Sequence, residues 1–343
     1  MRQLQNTLYI TTQGAYVNKE GEALVVSVEH ETRLRVPVHT LGGLVCFGRV
    51  SCSPFLLHHC AQNNVAISFL SENGQFLARV EGPVSGNVLL RREQYRRADD
   101  LQRSAAMARA FVIGKINNGR SVLMRCARDR PDNPNVEALN LAAQRLDGHL
   151  NSLKPGLPLD TVRGIEGAAA SAYFEAFDAL IATQKDEFFF KERSRRPPLD
   201  NMNALMSFLY TLLTHDVSGA LQAVGLDPAV GFLHRDRPGR AGLALDMMEE
   251  FRPFLADRLS LSLVNLKQIR GSGFKKTESG GIWMDDATRK EVLVAYQKRK
   301  QEEMIHPFLN EKMSVALLIH TQAKLLSRHL RGDMDGYPPF LWK

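Results

Sequence analysis

The chain contains no run of the roughly 18 uninterrupted apolar residues that a membrane helix needs, and its first residues, MRQLQNTLYITTQG, lack the apolar core of a signal peptide. A cytoplasmic protein without membrane contact is therefore expected. Cysteine is scarce: Cys46, Cys52, Cys60 and Cys126 form no CxxC pair, so neither a zinc knuckle nor a disulfide framework is indicated, and reduced, mostly buried thiols are expected. There is no GxxxxGK[ST] loop and no GxSxG elbow, which leaves ATP hydrolysis and serine hydrolase chemistry without support. Fixed-period repeats and low-complexity tracts are also missing.

What remains is ordinary in bulk and unusual in distribution. With 343 residues, 44% apolar and 24% charged, the chain reads as a folded soluble protein, and at roughly 100–200 residues per domain it has room for about two domains. The net charge of +7 comes from 44 Lys and Arg against 37 Asp and Glu. All of that excess lies in residues 91–130, which hold eleven basic groups, ten of them arginine, against four acidic ones. Such a window, with Arg91, Arg92, Arg96 and Arg97 at its start, is a candidate polyanion footprint; a solvated helix paired with acidic surface elsewhere has the same composition.

The first part of the chain reads as strands. LYI, AYV, ALVVSV, LRVPV and LVCFG are short, rich in β-branched and aromatic residues, and separated by turn material. SPFLLHHCAQNN reads as a short helix, and VAISFLSENGQFLARV as two strands around the Asn73-Gly74 turn signal. From Leu89 the period changes to helical, with runs around 91–116, 134–151, 157–183, 201–224, 240–264, 286–302 and 306–331. An α+β chain is predicted: a β-rich domain over 1–86, ending near Pro83 with its linker at Gly86 to Asn87, and a large, nearly all-α domain over 87–343.

Three segments carry candidate chemistry. In RGIEGAAASAYF a single carboxylate, Glu166, sits in a helical run stripped of bulk, where a substrate or another backbone can approach. GFLHRDRPGR presents His234 beside Arg235, Arg237 and Arg240, an imidazole suited to a divalent ion among cations suited to phosphate. In LALDMMEEFRP, Asp246 shares a helix face with Glu249 and Glu250, and close carboxylates repel unless a cation or proton intervenes. Together Glu166, His234 and Asp246 or Glu249 make a hard N/O donor set that favours Mg²⁺ or Mn²⁺ over thiolate-bound zinc. Such an ion serves phosphodiester chemistry.

These segments, with RSRRPPLDNMNALMSFLYTLL between them and the β-rich start before them, closely resemble the CRISPR adaptation integrases, the CRISPR-associated endonucleases of the spacer-acquisition complex, over essentially the whole chain. The resemblance implies metal ligation by Glu166, His234 and an acidic residue of DMMEEFRP. Glu249 best matches that last position and Asp246 a nearby acidic one. It also implies a homodimer formed through the β domain, two dimers bridged by a small ferredoxin-like adaptation protein, and captured double-stranded DNA whose 3′-hydroxyl ends are joined to a CRISPR repeat. Arg163, Arg235, Arg237 and Arg240 are then expected to contact phosphates at the site, with the 91–130 window along the DNA backbone. The alternatives are a non-catalytic nucleic-acid scaffold and a plain metal-dependent repair nuclease.

Overall fold

A computed structural model describes residues 6–342 apart from 64, 73, 75, 81, 83–86 and 279. Asn73, Pro83 and Gly86, on which the expected turn and domain boundary rest, lie outside the described residues. The N-terminal part contains β1 (Asn6–Ile10), β2 (Tyr16–Glu20), β3 (Ala23–Val28), β4 (Glu31–Pro37), β5 (Leu41–Phe47), β6 (Ser51–Cys52), α1 (Pro54–Gln62), β7 (Ala66–Leu70) and β8 (Phe76–Val80). They form two four-stranded sheets, ordered β1-β5-β7-β8 and β4-β3-β2-β6. In the first, β1, β5 and β7 run parallel and β8 turns back antiparallel.

Strand β5 shows how one sequence serves two cores. Its alternating residues point to opposite faces, as the two-residue period of a strand requires. Leu44 and Cys46 enter a small core between the sheets with Val17, Leu24 and Leu56, while Val45 and Phe47 join the large core of the helical part. The thiols are free, Cys46 and Cys60 fully buried.

The helical part comprises α2 (Val88–Asp99), α3 (Leu101–Asp129), α4 (Val136–Ser152), α5 (Leu159–Glu175), α6 (Asn201–Ala223), α7 (Gly242–Met248), α8 (Arg258–Asn265), α9 (Asp286–Gln301) and α10 (Val315–Arg331). Acidic and hydroxyl side chains start several of them: Asp100 accepts from Gln102 and Arg103 N–H, Asp200 from Asn203 N–H, and Ser314 from Leu317 N–H. Among the described residues no helix is long and apolar enough to cross a membrane.

The structure departs from the expected helices in three places. The run over 91–116 is broken at Asp100, whose cap starts α3 afresh. The run over 240–264 is α7, a turn, a π-helical stretch over Arg252–Asp257 and then α8; Pro253 supplies no N–H to a regular ladder there. Two small hairpins interrupt the helices, β9 (Phe274–Lys276) with β10 (Ile282–Met284) and β11 (Glu303–Ile305) with β12 (Lys312–Ser314), so the expected helix over 306–331 begins only at Val315.

Candidate active site

A cavity of about 300 Å³ opens where α3, α5 and the α7 end meet, and Lys115, Glu166, His234, Glu249 and Arg252 line it. Glu166 comes from the middle of α5. Beside it Gly164 and Gly167 are exposed, and a β-carbon at either would meet nothing within 4 Å, so the glycines face open space while Ala169 and Ala172 of the same run pack into the core.

His234 sits on the loop before α7, and Asp246 holds it there. The two Asp246 oxygens accept the backbone N–H groups of Phe232 (2.5 Å), Leu233 (2.9 Å) and His234 (3.0 Å), and Asp246 Oδ1 lies 2.7 Å from His234 Nδ1. An imidazole bound to a carboxylate through Nδ1 carries its proton there and presents Nε2 as the free acceptor. Gly231 permits the approach, since a β-carbon on it would stand 2.7 Å from Asp246 Oδ2. Asp246 is fully buried, does not line the cavity, and has its oxygens engaged by the loop. These contacts fix the position of His234.

Glu249 follows the last residue of α7 and is only 2% exposed. Its carboxylate lies 2.6 Å from Arg252 Nη1, 2.8 Å from Lys115 Nζ and 4.0 Å from His234 Nε2. Burial works against its ionisation, but Arg252, Lys115 and His234 outweigh burial and bring its carboxyl down to about 2. Lys115 Nζ also contacts Glu166, so one ammonium bridges carboxylates of two helices. Gly114 lets α3 come this close: a β-carbon there would meet Glu250 Cγ at 2.8 Å.

The expected phosphate contacts divide. Arg237 is exposed and Arg240 half-buried on the His234 loop, and Arg235 is 70% exposed beside Asp160, 3.4 Å away. Arg163 is turned to structure, its Nε donating to Leu233 O at 2.7 Å and its Nη1 to Asp160 at 2.9 Å, which ties the loop to α5. On α2, Arg92 and Arg96 are exposed and Arg91 half-buried. Arg97 is drawn inward by Glu93 and by the carbonyls of His329 and Leu330 at the α10 C-terminus. Arg109 donates to Leu153 O and Arg120 pairs with Asp147. The basic window is thus no continuous surface stripe, because α3 buries much of its length.

Sequence reasoning missed three residues that line the cavity, Lys115, Arg252 and the buried acid Asp257. Tyr210 and Tyr173 donate to Asp257 at 2.6 and 3.0 Å, and burial outweighs them to push its carboxyl up to about 6. Lys115 did carry a signal: it is the single lysine among the window's arginines and follows a mid-helix glycine, a costly residue there without a packing reason.

A β-rich part is joined to a helical part, and two carboxylates, an oriented imidazole and flanking cations converge on one cavity, the makeup of a candidate active site. The model of the family described as CRISPR associated protein Cas1 matches residues 8–298, and the chain belongs to that family. It is 54% identical over the full length of both chains to "CRISPR-associated endonuclease Cas1 1" of Chlorobaculum tepidum. To "CRISPR-associated endonuclease Cas1 2" of Rhodospirillum rubrum it is 49% identical, again over both whole chains. Among solved structures, a Cas1 protein from Thermotoga maritima shares the fold at TM-score 0.79 and 23% identity, over 95% of this chain and 97% of that one. A casposase bound to its integration product does so at TM-score 0.81 and 20% identity, over 99% of this chain and 95% of that one.

Proposed function

We propose that this chain is a divalent-metal-dependent DNA endonuclease and integrase that joins the 3′-hydroxyl ends of captured DNA to a CRISPR repeat. The observation that carries the reading is the convergence of Glu166, His234 and Glu249 on one cavity. The curated relatives named endonucleases support the nuclease part, and the casposase seen with an integration product supports joining as a chemistry of this fold.

The donor set fits Mg²⁺ or Mn²⁺: two hard carboxylates, one of them held ionised, and an imidazole held at Nδ1 by Asp246 so that Nε2 faces the site. Among the described residues no three His, Cys, Asp or Glu side chains stand close enough to grip an ion, and the Lys115 ammonium contacts both carboxylates. Glu166, His234 and Glu249 would hold the ion, which supplies charge stabilisation at a phosphodiester and activation of water or a 3′-hydroxyl. Asp246 fixes the tautomer and aim of His234. Arg252 keeps Glu249 ionised, and Arg235, Arg237 and Arg240 receive backbone phosphates.

The same reading includes a homodimer through the β region and a small ferredoxin-like partner bridging two dimers. Exposed apolar residues on both sheets, Tyr16 and Leu34 on one and Phe76 and Leu77 on the other, are compatible with cover by partners, and a solved neighbour is titled "Cas6-RT-Cas1–Cas2 complex". The test incubates the protein with labelled duplex DNA bearing 3′-hydroxyl ends and a repeat-containing supercoiled plasmid, with and without the partner, in Mg²⁺, Mn²⁺ or EDTA. Label joined to plasmid only with metal, and not by His234→Ala, is expected. Tight binding with no cut or joined product in any metal, partner present, contradicts the reading in favour of a scaffold; cutting without joining favours a repair nuclease.

A further inference from the structure

Lys115 stands where two negative charges meet and has no assigned task. Its side chain is 15% exposed and reaches from α3 to the carboxylates of Glu166, on α5, and Glu249, past α7. The contact to Glu249 Oε2 is 2.8 Å, within the range of a charge-assisted hydrogen bond. Arg252 closes the other side of Glu249 through Oε1, so Oε2 is the oxygen turned to Lys115 and Glu166.

We propose that Lys115 is a resident stand-in for the divalent ion. In the metal-free chain its ammonium occupies the space between Glu166 and Glu249, keeps the two carboxylates facing each other, and yields that space when the ion binds. This rests on the reading of Glu166, His234 and Glu249 as ligands. A lysine suits the task where an arginine does not: its ammonium is compact, close to a metal ion in function, and its flexible stem can swing aside, whereas the planar guanidinium of Arg252 is fixed against Tyr210 at 4.8 Å. Two consequences follow from the geometry. The site stays assembled without metal, although two carboxylates from separate helices would otherwise repel, and metal affinity is lowered by the competition.

The test uses the full-length protein and Mn²⁺ alone, with affinity read from the electron paramagnetic resonance of free Mn²⁺ and stability from calorimetry in EDTA and in saturating Mn²⁺. Lys115→Met should bind Mn²⁺ about tenfold tighter, as removal of one competing unit charge from a partly wet cleft implies. It should melt lower than the unmutated chain in EDTA, and the deficit should close in Mn²⁺. Unchanged or weaker affinity, or a melting deficit of equal size with and without Mn²⁺, overturns the proposal. Should the variant fail to fold, the unmutated chain answers by reductive methylation read by mass spectrometry: Lys115 should react faster with Mn²⁺ present, and equal or slower reaction overturns the proposal. His234→Ala separates the two layers. Mn²⁺ binding unaffected by that substitution overturns the ligand reading and the stand-in with it, whereas binding that needs His234 but ignores Lys115→Met overturns the stand-in alone.

Discussion

In the β region the described buried residues are apolar apart from Thr7, Ser53, His59 and Ser68; in the helical part Asp200, Asp246, Glu249, Glu250 and Asp257 are all carboxyl groups out of water. A buried carboxylate is costly unless donors or cations surround it, so each of these needs a local arrangement that apolar packing does not demand. The β region is accordingly a packing unit whose faces are set by strand alternation. The helical region carries electrostatics that only a site or a tightly specified join explains.

Glu249 and Glu250 sharpen the contrast within two residues. Glu249 faces Arg252, Lys115 and His234 and is held ionised, with its carboxyl at about 2. Glu250 points away, receives Tyr337 OH, Gln322 and Phe340 N–H, and burial, outweighing these neutral donors, pushes its carboxyl up to about 8. One face of the turn serves the cavity and the other docks the C-terminal segment, which Asn118 also grips through Phe340 O and Trp342 N–H.

The largest effect that separates the regions should come from the cavity. Loss of His234 or Glu249 to Ala should lower metal-dependent joining by about 10³-fold, since several kcal/mol of charge stabilisation are at stake at about 1.4 kcal/mol per factor of ten. Single-turnover rates in Mn²⁺ check this, and melting temperatures should show the fold retained. Leu44→Ala, in the β core, should do the reverse: a stability loss of roughly 2–5 kcal/mol in denaturant melts with metal affinity unchanged. Asp246→Asn keeps shape but disrupts the acceptor set that orients His234, and Mn²⁺ affinity should fall by about 10–100-fold.

The pH dependence divides along the same line. The folded chain holds the Glu250 proton up to about 8, whereas an ordinary glutamate releases it near 4.5, so unfolding releases a proton between those values and stability falls as pH rises through that window. Glu249, depressed to about 2, contributes in the opposite sense: its stabilisation is present above 4.5 and lost as pH falls toward 2. Glu250→Gln should flatten the decline in melting temperature between pH 5 and 8. The smallest effect belongs to α2: Arg92→Ala with Arg96→Ala should reduce the salt slope of DNA binding by about 0.9 per lost phosphate contact, whereas Arg97→Ala should lower stability and leave the slope.

Much of this was legible in the sequence. The strands of the β region and the helices around Glu166 and α6 follow from period and composition, and the resemblance pointed to Glu166, His234 and Glu249, which the structure brings to one cavity. What was not legible depended on distant partners. Asp246 and Glu249 share a helical face by spacing, and only the loop over 231–234 decides that one orients an imidazole while the other faces the cavity. The charge of residues 91–130 suggested a stripe, but composition does not say which arginines α3 and α10 draw inward. Pro253 was visible, yet the π-helical turn it accompanies, which sets Arg252 beside Glu249, is a tertiary outcome.

The central claim is that Glu166, His234 and Glu249 form one divalent-metal site with Asp246 behind it. Crystals soaked in Mn²⁺ and measured for anomalous scattering test it directly. One peak within bonding distance of Glu166, His234 Nε2 and Glu249, with Asp246 still on His234 Nδ1, is the expected result. A peak bonded to Asp246, or density at none of these residues under saturating Mn²⁺, would contradict it.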